Sequence, residues 1–104
     1  MSRLANPLTE AEMLGDLRAT FPLLWTKPLR NFGAAYRQRE GVWTGRCGTV
    51  MPDGLPIFAT VAIPEPQYNG AIHEAFEEWL DIRGWYVETF DGETHHLLPA
   101  RDAL

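Results

Sequence analysis

Hydrophobic and polar positions follow a helical period in the second half of the chain. Between residues 70 and 83 the apolar residues recur every three or four positions, which is typical of a helix with one buried face. Asn69 is a suitable N-cap, and Gly84 is placed to end the helix in the left-handed conformation. The spacing therefore predicts an amphipathic helix over residues 70–83. Its polar stripe consists of four carboxylates, at Glu74, Glu77, Glu78 and Asp81.

A second helix is predicted near the N-terminus, over residues 8–20. Thr9 followed three positions later by Glu12 is the pattern of a capping box, in which each side chain accepts a hydrogen bond from the other residue's backbone. Pro22 restricts the residue before it and so ends the helix near Thr20.

The remaining apolar positions alternate with polar ones, which favours strands. Turn residues at Glu40-Gly41 and at Pro52-Asp53-Gly54 divide residues 32–63 into a three-stranded meander. Its predicted strands cover residues 32–39, 42–51 and 56–63. A further strand and its returning partner are predicted over residues 86–98, with a tight turn at Asp91-Gly92.

The predicted element order is α-β-β-β-α-β-β, in a single domain that covers residues 1–104. Connections of hairpin length favour an antiparallel sheet, and two helices most simply cover one face of it. We therefore expect an α+β fold, arranged as a two-layer sandwich.

Composition sets limits on this interpretation. The 104 residues are 45% hydrophobic, which is enough for one core. The single cysteine, Cys47, excludes an intrachain disulfide, and the sequence shows neither a signal peptide nor an apolar run that would span a membrane. We expect a cytoplasmic protein that does not enter a membrane.

Charge is separated along the chain. Residues 1–52 carry seven Lys and Arg against four Asp and Glu, whereas residues 53–104 carry two against ten. The halves have net charges of +3 and −8, in agreement with the total of −5. Such separation is neutralised within a fold, drives self-association, or provides an acidic surface for a basic partner.

No arrangement of residues indicates catalysis, a metal or a cofactor. Cys47 and the three histidines (His73, His95 and His96) match no ligand spacing, and only Arg46 lies beside Cys47 to activate it. His95 and His96 occupy adjacent strand positions, so their rings point to opposite faces, and we expect them at the surface or half-buried. We predict that the protein is not an enzyme.

The acidic stripe is the principal candidate for function. We expect it to meet a basic surface on a protein partner, together with Glu65, Glu88 and Glu93. An inhibitor or adaptor encoded by a mobile element would act in this way. The plainer interpretation is a solvated helix face that keeps the protein in solution.

Two alternatives remain. Single-stranded nucleic acid would bind the basic aromatic region 27–46, through Lys27, Arg37, Arg39 and Arg46, with rings interleaved for stacking. The overall acidity makes nucleic acid the less favoured partner. The other alternative is a structural domain that associates with copies of itself.

Overall fold

The computed structural model describes residues 7–45, 48–59 and 64–100. These residues form two α-helices, a four-stranded antiparallel sheet and a small two-stranded sheet, so the predicted α+β class is confirmed. In chain order the elements are α1 (Glu10–Thr20), β1 (Thr26–Pro28), β2 (Val42–Gly45), β3 (Tyr68–Asn69), β4 (Ile72–His73), α2 (Glu74–Ile82), β5 (Trp85–Thr89) and β6 (Thr94–Pro99).

Helix α1 begins with the capping box that the sequence indicates. The Thr9 hydroxyl accepts from the Glu12 N–H at 3.2 Å, and the Glu12 carboxylate accepts from the Thr9 N–H at 2.9 Å. These two bonds satisfy two donors that a helix start leaves unpaired. Met13 and Leu17, one turn apart, are fully buried and dock the helix on the core.

The four-stranded sheet joins two hairpins through its central pair, in the order β1-β2-β6-β5. Val42 lies opposite Leu97 across the centre, and Trp43 lies opposite His96. Because residues directly opposite one another share a face, these two pairs mark the two faces of the sheet.

The face that carries Val42 and Leu97 packs against the helices. Phe76 and Leu80 of α2 and the buried residues of α1 belong to the same hydrophobic cluster. Trp85 completes the cluster, and its indole N–H donates to the Leu8 carbonyl at 2.8 Å. This face holds the core of the molecule.

The face that carries Trp43 and His96 is covered by the connection between β1 and β2. This connection contains two 3₁₀ turns, Leu29–Asn31 and Ala34–Tyr36. The Phe32 ring lies 5.1 Å from Trp43 and 4.6 Å from His96, centroid to centroid. The segment therefore acts as a cover for the sheet and not as one of its strands.

The predicted meander over residues 32–63 is wrong. Residues 32–39 form turns, because Phe32 and Tyr36 pack against each other at the four-residue spacing of a helical turn, with centroids 5.1 Å apart. Among the described residues of the second predicted strand, only Val42–Gly45 form a strand of the sheet, and the described part of the third predicted strand forms isolated bridges, Pro56 with Val50 and Phe58 with Ile72. Residues 46–47 and 60–63 lie outside the described residues.

The edges of the sheet differ. Strand β1 was not predicted from the sequence, and it ends at Pro28, which has no N–H to offer on its outer side. The outward carbonyl of Thr26 accepts a hydrogen bond from the Arg18 guanidinium of α1 at 3.3 Å. Arg18 and a proline thus occupy part of this edge, whereas β5 forms the other edge.

The C-terminal hairpin lies within one residue of its predicted position at each end. Its loop is fixed by the Asp91 carboxylate, which accepts from the backbone N–H groups of Glu93 at 2.9 Å and Thr94 at 2.8 Å. The Phe90 N–H donates to the Thr94 carbonyl and closes the turn.

Candidate functional site

The N-cap of helix α2 lies four residues after the predicted one, at His73 and not at Asn69. Asn69 belongs to strand β3, and Gly70 lies in the turn between β3 and β4, where its φ of 67° favours glycine. His73 is the actual N-cap, and its Nδ1 accepts from the Ala75 N–H at 3.1 Å. At the other end Gly84 has a φ of 78°, as predicted.

The acidic stripe of α2 forms one wall of a groove. The groove has a volume of about 530 Å³, and its other wall is the start of strand β5. Glu74, Glu78 and Asp81 are exposed, and Glu77 is half-buried. The lining consists of Glu74, Glu77, Glu78 and Asp81 with Trp85, Tyr86 and Val87. We call this feature the acidic groove.

The wall contributed by β5 is a sheet edge that has no neighbouring strand within the described residues. The Ala100 N–H donates to the Gly84 carbonyl, and the Phe90 N–H donates to the Thr94 carbonyl. These bonds show which residue pairs of β5 and β6 are hydrogen-bonded and which are not. Because hydrogen-bonded and non-bonded pairs alternate in antiparallel strands, the backbone groups of Trp85, Val87 and Thr89 point away from β6. Within the described part of the chain, none of these outward groups has a hydrogen-bond partner.

The electrostatics of the groove are one-sided. Among the described residues, its lining contains four carboxylates and no lysine or arginine. Glu77 is oriented by Asn69, whose amide donates to it at 3.0 Å, while Glu74 and Glu78 have no hydrogen bond or ion pair within the described ranges. The four carboxylates make this wall of the groove negatively charged.

The predicted partner-binding residues therefore lie together, but the three additional acids do not join them. Glu65, Glu88 and Glu93 are absent from the lining of the groove, although each is exposed. Glu88 lies opposite His96, on the face of the sheet that does not carry the helices. Sequence reasoning missed Tyr86 and Val87, because their role depends on β5 lying at the edge of the sheet.

A second surface gathers the aromatic residues of region 27–46. The Lys27 ammonium lies 5.4 Å from the centre of the Trp43 ring, and the Arg39 guanidinium lies 5.9 Å from that of Tyr36. Phe32 contacts both rings and links them into one cluster. We call this surface the aromatic face. Arg37 is exposed in the same connection, and Arg46 lies outside the described residues.

His73 and Asp53 form a pair that resembles half of a catalytic unit. Nε2 of His73 lies 2.7 Å from the Asp53 carboxylate. Hydrogen bonds from the Leu55 N–H and, to a smaller extent, from this ring hold the pKa of Asp53 below its usual value. A general base needs its second ring nitrogen free for substrate. In this pair Nδ1 accepts from the Ala75 N–H, so both ring nitrogens are occupied and the ring is used to cap α2.

His95 and His96 are both buried, which corrects the expectation of surface or half-buried rings. Each is 1% exposed, and neither Nε2 has a hydrogen-bond partner within the described residues. Burial lowers the pKa of His95 to about 4 and also lowers that of His96. They lie opposite different partners, Thr44 and Trp43, and hence on opposite faces, as predicted.

Comparison with protein-family models, curated proteins and solved structures finds no match to this chain. Within the described ranges, no three His, Cys, Asp or Glu side chains are grouped to hold a metal ion. No helix in those ranges is long and apolar enough to cross a membrane.

Proposed function

We propose that this domain binds a protein partner through the acidic groove, and that the partner presents a basic surface. The observation that supports this is the placement of Glu74, Glu77, Glu78 and Asp81 along one wall of a concave site that contains no cation among its described lining residues. Action as an inhibitor or adaptor of the kind that mobile elements encode is one form that such binding would take.

The energetics of the stripe favour a binding role over a purely solubilising one. Every member lies three or four positions from two others, so the carboxylates repel one another along the helix. Each like-charge pair at this spacing costs a few tenths of a kcal/mol, ~0.2–0.5. Solubility does not require that cost, because dispersed charges serve it equally well. A basic partner would remove the repulsion on binding.

The test is a capture experiment with matched charge reversals. The immobilised domain is exposed to a lysate of the native host, and the bound proteins are identified by mass spectrometry. The variant Glu77→Lys/Glu78→Lys/Asp81→Lys should lose the specifically bound proteins, and these should carry basic surface segments. Capture should also fall with added salt, since charge pairs at an exposed site are screened.

The matched control is Glu65→Lys/Glu88→Lys/Glu93→Lys, which changes the net charge equally but leaves the acidic groove intact. It should capture the same proteins as the unmodified domain. Thermal unfolding of both variants confirms that each is folded. Equal capture by the groove variant and the unmodified domain would refute the proposed function.

The aromatic face favours a second candidate, the binding of single-stranded nucleic acid. Trp25 is 37% exposed and packs edge-on against Trp43, so a ring remains accessible beside Lys27. Bases stack on such rings while cations contact the phosphates.

An anisotropy titration tests this candidate, with a fluorescein-labelled oligothymidine at low salt. Binding should weaken in the variant Lys27→Ala/Arg39→Ala and should be unchanged in Glu77→Gln, which lies in the acidic groove. A flat titration with the unmodified domain would eliminate this candidate.

A further inference from the structure

We propose that the segment that occupies the acidic groove binds as an extended strand. It would pair with the open edge of β5 and direct lysine or arginine side chains at the carboxylates of α2. This inference rests on the proposed function and specifies the conformation and the charge pattern of the partner. It follows from two independent features, the charged wall and the unpaired backbone beside it.

The backbone of β5 supplies the first feature. Trp85 and Val87, whose N–H and C=O groups point away from β6, both line the groove. Exposed edge strands are the structures to which extended peptides add, because each added residue pair restores two backbone hydrogen bonds. Thr89 extends the edge, because its N–H and C=O groups also point away from β6.

The charged wall supplies the second feature and sets the spacing. From Glu74 to Asp81 the stripe covers eight residues, which is a rise of about 10 Å along a helix axis. Side chains on one face of an extended strand lie about 7 Å apart. Two or three basic residues at alternate positions of the segment would therefore meet the whole stripe. Lysine and arginine side chains are long and flexible enough to bridge the mismatch between the spacing of residues on the strand and the spacing of carboxylates on the helix.

A second copy of this chain fits the groove less well. If two β5 edges paired about a two-fold axis, each stripe would lie beside its own duplicate, and up to eight carboxylates would come together. Like charges at an interface oppose association. Charge complementarity thus favours a basic strand from another protein.

The experiment uses the complete chain and a fluorescein-labelled peptide in which lysine alternates with valine or threonine. Two further versions of the peptide carry N-methyl groups on alternate backbone amides, one version on each set. Only one set can face β5, so N-methylation of that set should weaken binding about tenfold, the loss expected for one or two hydrogen bonds, while the other version binds normally. Hydrogen exchange of the Trp85, Val87 and Thr89 amides should slow when the unmodified peptide binds.

A protein variant provides the reciprocal test. Val87→Pro removes an outward N–H that is not used in pairing with β6, so the sheet can form while the edge is blocked. It should lose about tenfold in affinity for the peptide. Glu65→Gln, outside the groove, should leave the affinity unchanged.

The outcomes separate the two proposals. If both N-methylated peptides bind as well as the parent, or if no alternating peptide binds, the strand inference is wrong, and the proposed function stands provided that capture still depends on Glu77, Glu78 and Asp81. If groove reversal leaves capture unchanged, the proposed function itself is wrong. Dimerisation of the unmodified chain in light scattering, with slow exchange at Val87 in the absence of peptide, would assign the edge to a second copy and overturn the inference.

Discussion

The imidazole ring of His95 stacks on the phenyl ring of Phe58, with centroids 4.0 Å apart and planes inclined by 12°. Thr89 Oγ1 lies 3.3 Å from its Nδ1, and its Nε2 has no partner among the described residues. Protonation would place a charge in this apolar contact. Burial accordingly lowers the pKa of His95 to about 4, although the Asp91 carboxylate acts in the opposite direction.

This pKa predicts that the fold loses stability in mild acid. Between pH 6.5 and pH 4 the unfolded chain binds a proton that the folded chain excludes, so the free energy of unfolding falls as the pH falls. The loss from His95 alone should be on the order of 2 kcal/mol at pH 5. Urea unfolding at a series of pH values measures it.

The control for this prediction is His95→Phe, which keeps an aromatic ring against Phe58 and removes the titrating group. Its stability should depend less on pH in the same range. Asp53 and Asp91, whose pKa values are lowered by hydrogen bonds, add a separate loss below pH 4. An unchanged pH profile in His95→Phe would show that another group is responsible.

Neutralising one carboxylate of the acidic groove should stabilise the helix. Glu78 lies four positions after Glu74 and three before Asp81, so Glu78→Gln removes two like-charge contacts. The free energy of unfolding should rise by about 0.5 kcal/mol at low salt and by less at high salt. Glu65→Gln, in an exposed loop, is the matched control and should change nothing measurable. A loss of stability in Glu78→Gln would contradict the repulsion.

Replacing the N-cap of α2 should be costly. His73→Ala removes the acceptor for the Ala75 N–H together with the contact to Asp53, and it should destabilise the fold by at least about 1 kcal/mol. His73→Asn should recover part of this loss, because asparagine is among the best N-caps. Equal stability of the two variants in urea unfolding would argue against a capping role.

Two glycines should respond to alanine in opposite directions. Gly15 lies inside α1 with no atom near the position of an added Cβ, so Gly15→Ala should stabilise the fold by about 1 kcal/mol through the better helix propensity of alanine. At Gly41 an added Cβ would lie 2.8 Å from the backbone oxygen of Leu97, which cannot give way. Gly41→Ala should cost about 1–3 kcal/mol. Thermal unfolding of the pair provides the comparison.

Features governed by neighbouring residues were predictable. The capping box of Thr9 and Glu12 and the left-handed Gly84 depend on short-range geometry, and both occur as expected. Over residues 32–39 the alternation of Phe32, Ala34 and Tyr36 with smaller or charged residues imitates the pattern of a strand. The four-residue spacing of Phe32 and Tyr36 was the signal for turns.

Features governed by distant pairing were not predictable. Strand β1 contains Pro28, and a proline argues against a strand unless that strand lies at the edge of a sheet. The edge position of β1 follows only from the strand order β1-β2-β6-β5. The acidic stripe was identifiable from its spacing, but nothing local indicates that it faces the open side of β5. The depth of burial of His95 and His96 also follows from that long-range pairing.

The two ends of the sheet together determine how many strands the molecule can accept. At one end Arg18 occupies the Thr26 carbonyl and Pro28 lacks an N–H, so no further strand has a template there. At the other end, β5 has no neighbouring strand among the described residues. A segment that adds to this sheet would therefore lie beside β5 and not beside β1. For the proposed complex we expect one bound segment per domain.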